Sequence, residues 1–528
     1  MNKSKHEVFT NRESGILLPV SSLPSSYGIG TFGADAYKWI DFLKESGQKY
    51  WQVLPLGPTS YGDSPYQNLS AFAGNPYFID LDLLCDEKLL EENEFTKISW
   101  YKNSSKVSYD ILFKYRQQVL RQAFKRFVPN DKFDQFKTEN AFWLDDYALY
   151  MAIKSKKNYR PWTEWDKEIR MRVDKAMSLY SQGLRDDIEY YIFEQFMFFK
   201  QWDQLHKYAN ENDVEIIGDI PIYVALDSAD VWSNKEIFQL DSKGFPTEVA
   251  GVPPDYFSED GQLWGNPLYR WDKLKDGNYD WWIKRVESSF RLYDVLRIDH
   301  FRGLESYYSI PYGNTDAKKG EWKPGPGIEF IDAIKKAVSN SRIIAEDLGF
   351  LTKEVYKLLD DSGFPGMKVL QFAFDSREPG DYSPYNYPKN SVVYTGTHDN
   401  DTIRGWMKSA PKESVNLAME YIGETAQLPE LRKYANICFI RLAMQTASNL
   451  AIIPFQDWLN LDSGARINIP STIGGNNWRW RMGKKDISER LAEKIYRISE
   501  LYGRVEVKKS AKSMGGQEIG ELYSGFTK

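Results

Sequence analysis

The run VLRIDHFRGL, residues 295–304, ends an apolar stretch on a knot of charge, with Arg297, Asp299, His300 and Arg302 inside six consecutive positions. Charged side chains are costly to bury unless they are paired or used. Comparable acids stand at three other strand-like runs: Asp219 in IGDIP, Glu346 in AEDLG and the pair His398–Asp399 in GTHDND. Any one of them, alone, reads as a helix cap or an arginine partner. Four at matching positions read differently, because like charges raise one another's pKa and are tolerated mainly where chemistry needs them. Two carboxylates with separated pKa values suit glycosidic bond chemistry, one attacking the anomeric carbon while the other protonates the leaving oxygen. Arg297, two residues before Asp299, would hold that aspartate ionised and aimed. Asp399 would hold sugar hydroxyls and favour an oxocarbenium-like transition state. The four histidines are His6, His206, His300 and His398, and two of them flank candidate acids. A metal site is the rival reading, but His-x-His and His-Glu-x-x-His spacings are absent, so hydrogen bonding to a polyhydroxyl ligand is the better fit.

The elements that must position these groups are short β-rich runs separated by helical periodicity, the pattern of a parallel sheet. Eight occur: GILLPV at 15–20, YWQVLPL at 50–56, EIIGDIPIYV at 215–224, VLRIDHF at 295–301, RIIAEDL at 342–348, MKVLQF at 367–372, SVVYTGTHD at 391–399 and LAIIPFQDW at 450–458. Between the first two, Ala36, Trp39, Ile40 and Leu43 recur at helical spacing, and Gly47 is the expected stop. A helix rich in Phe, Tyr and Met is expected over about 187–209. Eight strands alternating with helices predict an α/β fold of the (β/α)8 TIM-barrel type. One barrel is expected over 1–504, with a largely helical insertion at 57–185 and an aromatic, loop-rich insertion at 225–280. Both follow strands, and so lie at the C-terminal face where such barrels keep their sites. The tail 505–528 lacks a period and is expected to be partly disordered. Along the fourth run, 295–301, the alternation of side chains sends Arg297 and Asp299 to the barrel mouth, and Leu296 and Ile298 to the helix layer.

Composition excludes several classes. A net charge of −6 without a basic tract gives a nucleic-acid partner no electrostatic support. Cys85 and Cys438 stand alone, arguing against a disulfide framework or a zinc site. No apolar leader opens the chain and no run of 18 apolar residues occurs, so a cytoplasmic protein with no membrane span is expected. The 17 Trp, 34 Tyr and 29 Phe read first as a large aromatic core and only second as a long groove for sugars.

The blocks LRIDHFRG, IIAEDLG and YTGTHDNDT, in that order, resemble the catalytic regions of the α-amylase clan. More specifically, the chain resembles the amylomaltases, or 4-α-glucanotransferases, over nearly its whole length, through SGILLPVSSLPSSYGIGTFG, YWQVLPLGPTSYGDSPYQ, SAFAGNPYFIDLDLL, GDIPIYVALDSADVW, AGVPPDYFSEDGQLWGNPLY and NNWRWR. The resemblance implies Asp299 as nucleophile, Glu346 as general acid/base and Asp399 as transition-state stabiliser. It implies sugar contacts from Arg297, His398 and Asp219, with Tyr66 stacking on the donor sugar beside Ser64 in DSPYQ. It implies a loop from Asp255 to Trp264, with Tyr256, Phe257 and Gln262, closing over the acceptor side. Tyr61 matches a tyrosine of a second glucan site in some members. No metal or organic cofactor and no C-terminal β-sandwich domain are implied. The family pattern reads Pro-Gly-Thr where this chain has Pro470-Ser471-Thr472, a place where serine lacks glycine's freedom at positive φ.

The expected activity is therefore retaining transfer of α-1,4-glucan segments to the 4-hydroxyl of another glucan. Hydrolysis differs only in the acceptor, and an aromatic loop that keeps the acceptor site dry favours transfer. A glucan-binding scaffold on a dead barrel would have no reason to keep all three carboxylates.

Overall fold

The computed structural model describes residues 8–254, 258–339, 341–349, 351–375, 382–423 and 434–505. All eight apolar runs form strands: β1 (Glu13–Leu17), β2 (Tyr50–Gln52), β3 (Glu215–Pro221), β4 (Val295–Asp299), β5 (Arg342–Ala345), β6 (Gly366–Val369), β7 (Ser391–Tyr394) and β8 (Leu450–Pro454). They pair in chain order, every neighbour parallel, and β8 pairs with β1 to close the barrel. The strands are shorter than the runs that announced them. MKVLQF and LAIIPFQDW each turn into a helix after their fourth or fifth strand residue, at Leu370–Ala373 and Phe455–Trp458.

Two apolar layers follow from strand alternation. Every strand sends a side chain into an interior cluster that includes Leu17, Tyr50, Ile217, Val295, Ile344, Met367, Val392 and Leu450. The alternate residues, Leu296 and Ile298 among them, join the larger cluster under the helices. In the helix Ala34–Glu45, Ala36, Trp39, Ile40 and Leu43 are buried, and Gly47 ends it at φ 68°, a left-handed turn that glycine adopts without strain.

Between β2 and β3 the helices Tyr109–Arg126 and Asp131–Lys156 pack against a third, Arg185–Glu211, which runs into β3. Phe, Tyr and Trp rings fill the contact, as in the Phe127–Phe193 and Phe133–Phe196 pairs, with centroids 5.0 and 5.3 Å apart. The segment after β3 departs from the loop-rich reading. Its strands Glu248–Val252 and Gln262–Pro267 join Ser306–Pro311 and Glu321–Pro324, from beyond β4, in a four-stranded antiparallel sheet. That sheet pairs segments some 60 residues apart, which short local patterns do not reveal. Residues 506–528, nearly all of the tail, lie outside the described residues. Among the described residues no helix is long and apolar enough to cross a membrane.

The N-terminal end of the barrel is closed by two arginines, Arg12, which donates to the Thr446 and Met444 carbonyls at 2.7 and 2.8 Å, and the more deeply connected Arg504. Arg504, 2% exposed, donates through Nε to the Met444 carbonyl (3.0 Å), and through its two terminal nitrogens to the carbonyls of Glu13 (2.9 Å), Asn449 (3.2 Å) and Ser448 (3.0 Å). It ties the start of β1 to the turn before β8. Arg504→Met removes these four hydrogen bonds at once, leaving Met444 to Arg12 and Asn449 to the Glu13 amide, and the expected loss of unfolding free energy is about 3 kcal/mol. Activity per folded molecule should not change, because the acids lie at the opposite end. Urea denaturation with an activity assay checks this, and an unshifted midpoint overturns it.

Candidate active site

β3 and β4 bring Asp219 and Arg297 side by side in register, two residues short of the strand ends. Arg297 Nη1 lies 2.7 and 2.6 Å from the two oxygens of Asp219, and Nη2 lies 2.9 Å from Asp299 Oδ1. Side-chain exposure is 4% for Arg297 and zero for Asp219, but 29% for Asp299. One arginine thus joins a buried acid to an acid that opens on the mouth. Burial works against the charge on Arg297, but Asp219 and Asp299 together outweigh it and hold its pKa well above the ordinary value.

β4 stops at Asp299 because His300 takes a left-handed conformation, φ 54°. That conformation costs a non-glycine residue roughly 1 kcal/mol. The turn aims the His300 amide at Glu346 Oε2, 2.7 Å away, while the Leu348 amide donates to Oε1 at 2.8 Å. The main chain of Glu346 is held as well, donating to the Ile298 carbonyl and accepting from the Phe301 amide, both at 3.0 Å. Burial raises the Glu346 pKa most, the negative charge of Asp299 raises it further, and Arg297 and the two amides only partly oppose them. The result is a value of about 8. His300 is pushed down to about 4, chiefly by burial, so it is neutral at neutral pH.

Asp399 is not at a strand end. It lies five residues beyond β7 on a loop held from the segment after β8: Asn468 Nδ2 donates to Asp399 Oδ1 at 2.7 Å, and Arg466 to the Asp399 carbonyl at 2.5 Å. His398 Nε2 stands 3.3 Å from Asp399 Oδ1. On its other side the His398 ring stacks on Tyr66 (centroids 4.9 Å, interplanar angle 20°), and the Tyr66 hydroxyl donates to Asp219 Oδ2 at 2.7 Å. Trp478 closes the group, 5.9 Å from both rings. Asp219, Arg297, Asp299, Glu346, Tyr66, His398 and Asp399 therefore form one contiguous site from five strands' ends and loops.

Trp264, on a strand of the small sheet, meets the His300 ring edge-on at 4.8 Å and so borders the same site; its Nε1 donates to Gln262 Oε1 at 3.2 Å. Ser64 acts locally, accepting from the Tyr66 amide at 3.2 Å. Tyr61 is apart from the cluster and 92% exposed. Asp255, Tyr256 and Phe257 lie outside the described residues. Asn468, Arg466 and Trp478 were not singled out by sequence reasoning. The signals were an asparagine between two isoleucines in RINIP, and the tryptophan of NNWRWR. Ser471 holds φ 62°, the left-handed conformation that the glycine of the family pattern would adopt freely. Among the described residues no group of three or more His, Cys, Asp or Glu side chains is disposed to hold a metal ion.

A family model described as 4-alpha-glucanotransferase matches residues 18–486. The 4-alpha-glucanotransferase of Clostridium butyricum is 48% identical over 491 residues, covering 92% of this chain and all of that one. That of Streptococcus pneumoniae is 46% identical over 498 residues, covering 94% and 98%. Among solved structures, the amylomaltase of Streptococcus agalactiae in complex with acarbose superposes with a TM-score of 0.89 at 41% identity, covering 94% of this chain and 100% of that one.

A pKa of about 8 keeps Glu346 protonated at neutral pH and ionises it above that value. Folding then favours the bound proton, so this group's contribution to stability falls as pH rises from the ordinary glutamate range toward 8. A difference infrared spectrum of wild type against Glu346→Gln should show a protonated carboxyl band at neutral pH that disappears through about 8. Disappearance near the ordinary value of about 4.3 would overturn the electrostatic account.

Proposed function

The chain belongs to the 4-alpha-glucanotransferase family, and it is a glycosyltransferase of that type; on that premise we propose that Asp299, Glu346 and Asp399 carry the transfer of α-1,4-glucan segments. The observation that supports this assignment best is electrostatic. Asp299 and Glu346 face one site in different environments, the first paired with Arg297 and open to the mouth, the second buried with its pKa raised to about 8. Those are the conditions for a nucleophile beside a proton donor.

In the first step the Asp299 carboxylate attacks C1 of the donor sugar. The bond from C1 to the glycosidic oxygen breaks, and that oxygen takes the Glu346 proton as the reducing-end fragment leaves. The result is a glycosyl ester on Asp299. In the second step the 4-hydroxyl oxygen of an acceptor glucan attacks C1, its proton passes to Glu346, and the ester bond to Asp299 breaks. Two inversions at C1 give net retention. Asp399, fixed through Asn468 and beside His398, accepts hydrogen bonds from sugar hydroxyls that strengthen as C1 flattens. Tyr66, stacked on His398, offers a platform for the donor sugar. Arg297 and Asp219 hold the nucleophile, and we assign no metal or organic cofactor a part in the reaction. Asp255, Tyr256, Phe257 and Gln262 we assign, with Trp264, to the acceptor side, where apolar surface keeps competing water from the ester. Tyr61 we assign to a second glucan contact away from the reacting atoms.

Maltotriose alone, without added metal, should give glucose and a ladder of longer maltooligosaccharides, with transfer declining above about pH 8 as Glu346 ionises. Asp299→Asn should give neither. Glucose and maltose without longer products would overturn transfer, and a ladder from Asp299→Asn would overturn the assignment of the nucleophile.

Trp264→Ala should raise the share of hydrolysis roughly tenfold, a difference of about 1.4 kcal/mol between the two barriers. The ratio of new reducing ends to transferred segments measures it. An unchanged ratio would remove Trp264 from the acceptor side.

A further inference from the structure

Arg297 makes one contact that the charge pattern does not account for. While its terminal nitrogens serve Asp219 and Asp299, its Nε lies 3.3 Å from Sδ of Met367, which reaches into the barrel from β6. Met367 has no exposed surface and sits in the interior layer with Tyr50, Val369 and Tyr394. All three nitrogens of a fully enclosed guanidinium are thereby engaged, two by carboxylates and the third by a thioether.

We propose that Met367 is a positioning residue for the reaction: its sulfur fixes the plane of Arg297, so that one guanidinium serves the buried Asp219 and the nucleophile together. The inference rests on the reading of Asp299 as nucleophile. A guanidinium is rigid and planar, with donors diverging at fixed angles, so three acceptors around it set its orientation. With only the two carboxylates in place, it keeps a freedom to tilt about the Asp219 contact, and Asp299 moves with it.

The choice of acceptor has a physical reason. Asp219 and Asp299 already place two negative charges on one positive charge. A third carboxylate would compete with Asp299 for the cation. A side-chain amide would bring an NH2 group that the apolar layer around Met367 gives no partner. A thioether is polarisable and neutral, accepts weakly and donates nothing. It satisfies Nε–H without drawing charge from the nucleophile.

Leucine at 367 has nearly the same volume and no acceptor, and glutamine has an acceptor at the expense of packing. Positioning and simple core packing therefore rank the variants in opposite orders. If the sulfur orients Arg297, turnover falls in the order Met, Gln, Leu. If Met367 only fills space, Leu matches Met and Gln is worst. The test measures kcat and KM for maltotriose and for α-maltosyl fluoride, whose leaving group needs no proton, together with the thermal midpoint of each variant. Met367→Leu should lower kcat about tenfold on both donors with KM within about twofold, and Met367→Gln should retain more activity than Leu despite a lower midpoint.

Wild-type turnover by Met367→Leu on both donors overturns the proposal. So does a loss seen with maltotriose only, which would place the defect at the proton donor. Should the Leu variant fail to fold, the Gln variant decides alone: kcat within about threefold of wild type below its midpoint supports the proposal, and a loss of more than about tenfold overturns it. Asp299→Asn, assayed in parallel on the fluoride, separates the two levels. Activity there sinks the reading of the nucleophile, whereas an inactive Asp299→Asn with an unaffected Met367→Leu sinks only the present inference.

Discussion

Everything at the mouth of this barrel depends on a guanidinium that has no water to fall back on. Arg297 is enclosed, and it is stable there because Asp219 lies within 2.7 Å on one side and Asp299 within 2.9 Å on another. Removing either partner of such a pair leaves an uncompensated buried charge, at a cost of about 3–5 kcal/mol. The constraint spreads outward. Asp219 accepts the Tyr66 hydroxyl, Tyr66 stacks on His398, and His398 stands against Asp399. A single arginine inside the barrel thus sets the register of side chains contributed by β3, β4 and the loops after β2 and β7.

The scaffold lets this happen by keeping two apolar layers apart. The interior cluster takes one set of alternating strand residues up to the level of Arg297, where polar groups replace it; the outer cluster takes the other set. The abundance of aromatic residues serves mainly the outer layer. Trp39, Trp51, Trp162, Trp202, Trp232, Trp282 and Trp458 are all fully buried, far more a helix-packing inventory than a sugar groove. Among the described residues a few rings, Tyr66, Trp264 and Trp478 among them, are drawn into the site. The aromatic content therefore carries information about how the long insertion is held to the barrel, and little about the ligand.

The barrel was legible because each strand's apolar run is local and the eight recur in one order. The acids were legible because a charged residue at the end of such a run has few structural uses. What could not be read depends on contacts between distant segments. The four-stranded sheet pairs residues near 250 with residues near 310, and neither segment has the length or alternation that marks a strand alone. Asn468 sits 69 residues from the carboxylate it holds, and Met367 70 residues from Arg297. A lone asparagine or methionine in an apolar run looks the same whether it touches a functional group or not. Asp399 shows the limit from the other side: its type was readable, but its place on a loop five residues past β7 was not, since a run of β-rich residues does not say where hydrogen bonding stops.

On the proposed roles, the electrostatics of the pair change during the cycle in the direction the chemistry requires. In the free site, burial and then the charge of Asp299 keep the proton on Glu346. Once Asp299 is esterified its charge is gone, and the second of those causes vanishes while Arg297 and the amides of His300 and Leu348 remain. The affinity of Glu346 for a proton therefore falls, in the direction that favours the carboxylate the second step needs. Release of Asp299 restores the charge and the acid together. The first cause, burial, has a different consequence. Glu346 is buried whereas Asp299 opens on the mouth, so a sugar acceptor that fills the mouth beside Trp264 and His300 would keep water from the ester and from the acid together. Acid strength and preference for a sugar acceptor are then not independent properties of this site. A mouth that admitted water freely would lower the Glu346 pKa at the same time as it opened the ester to hydrolysis.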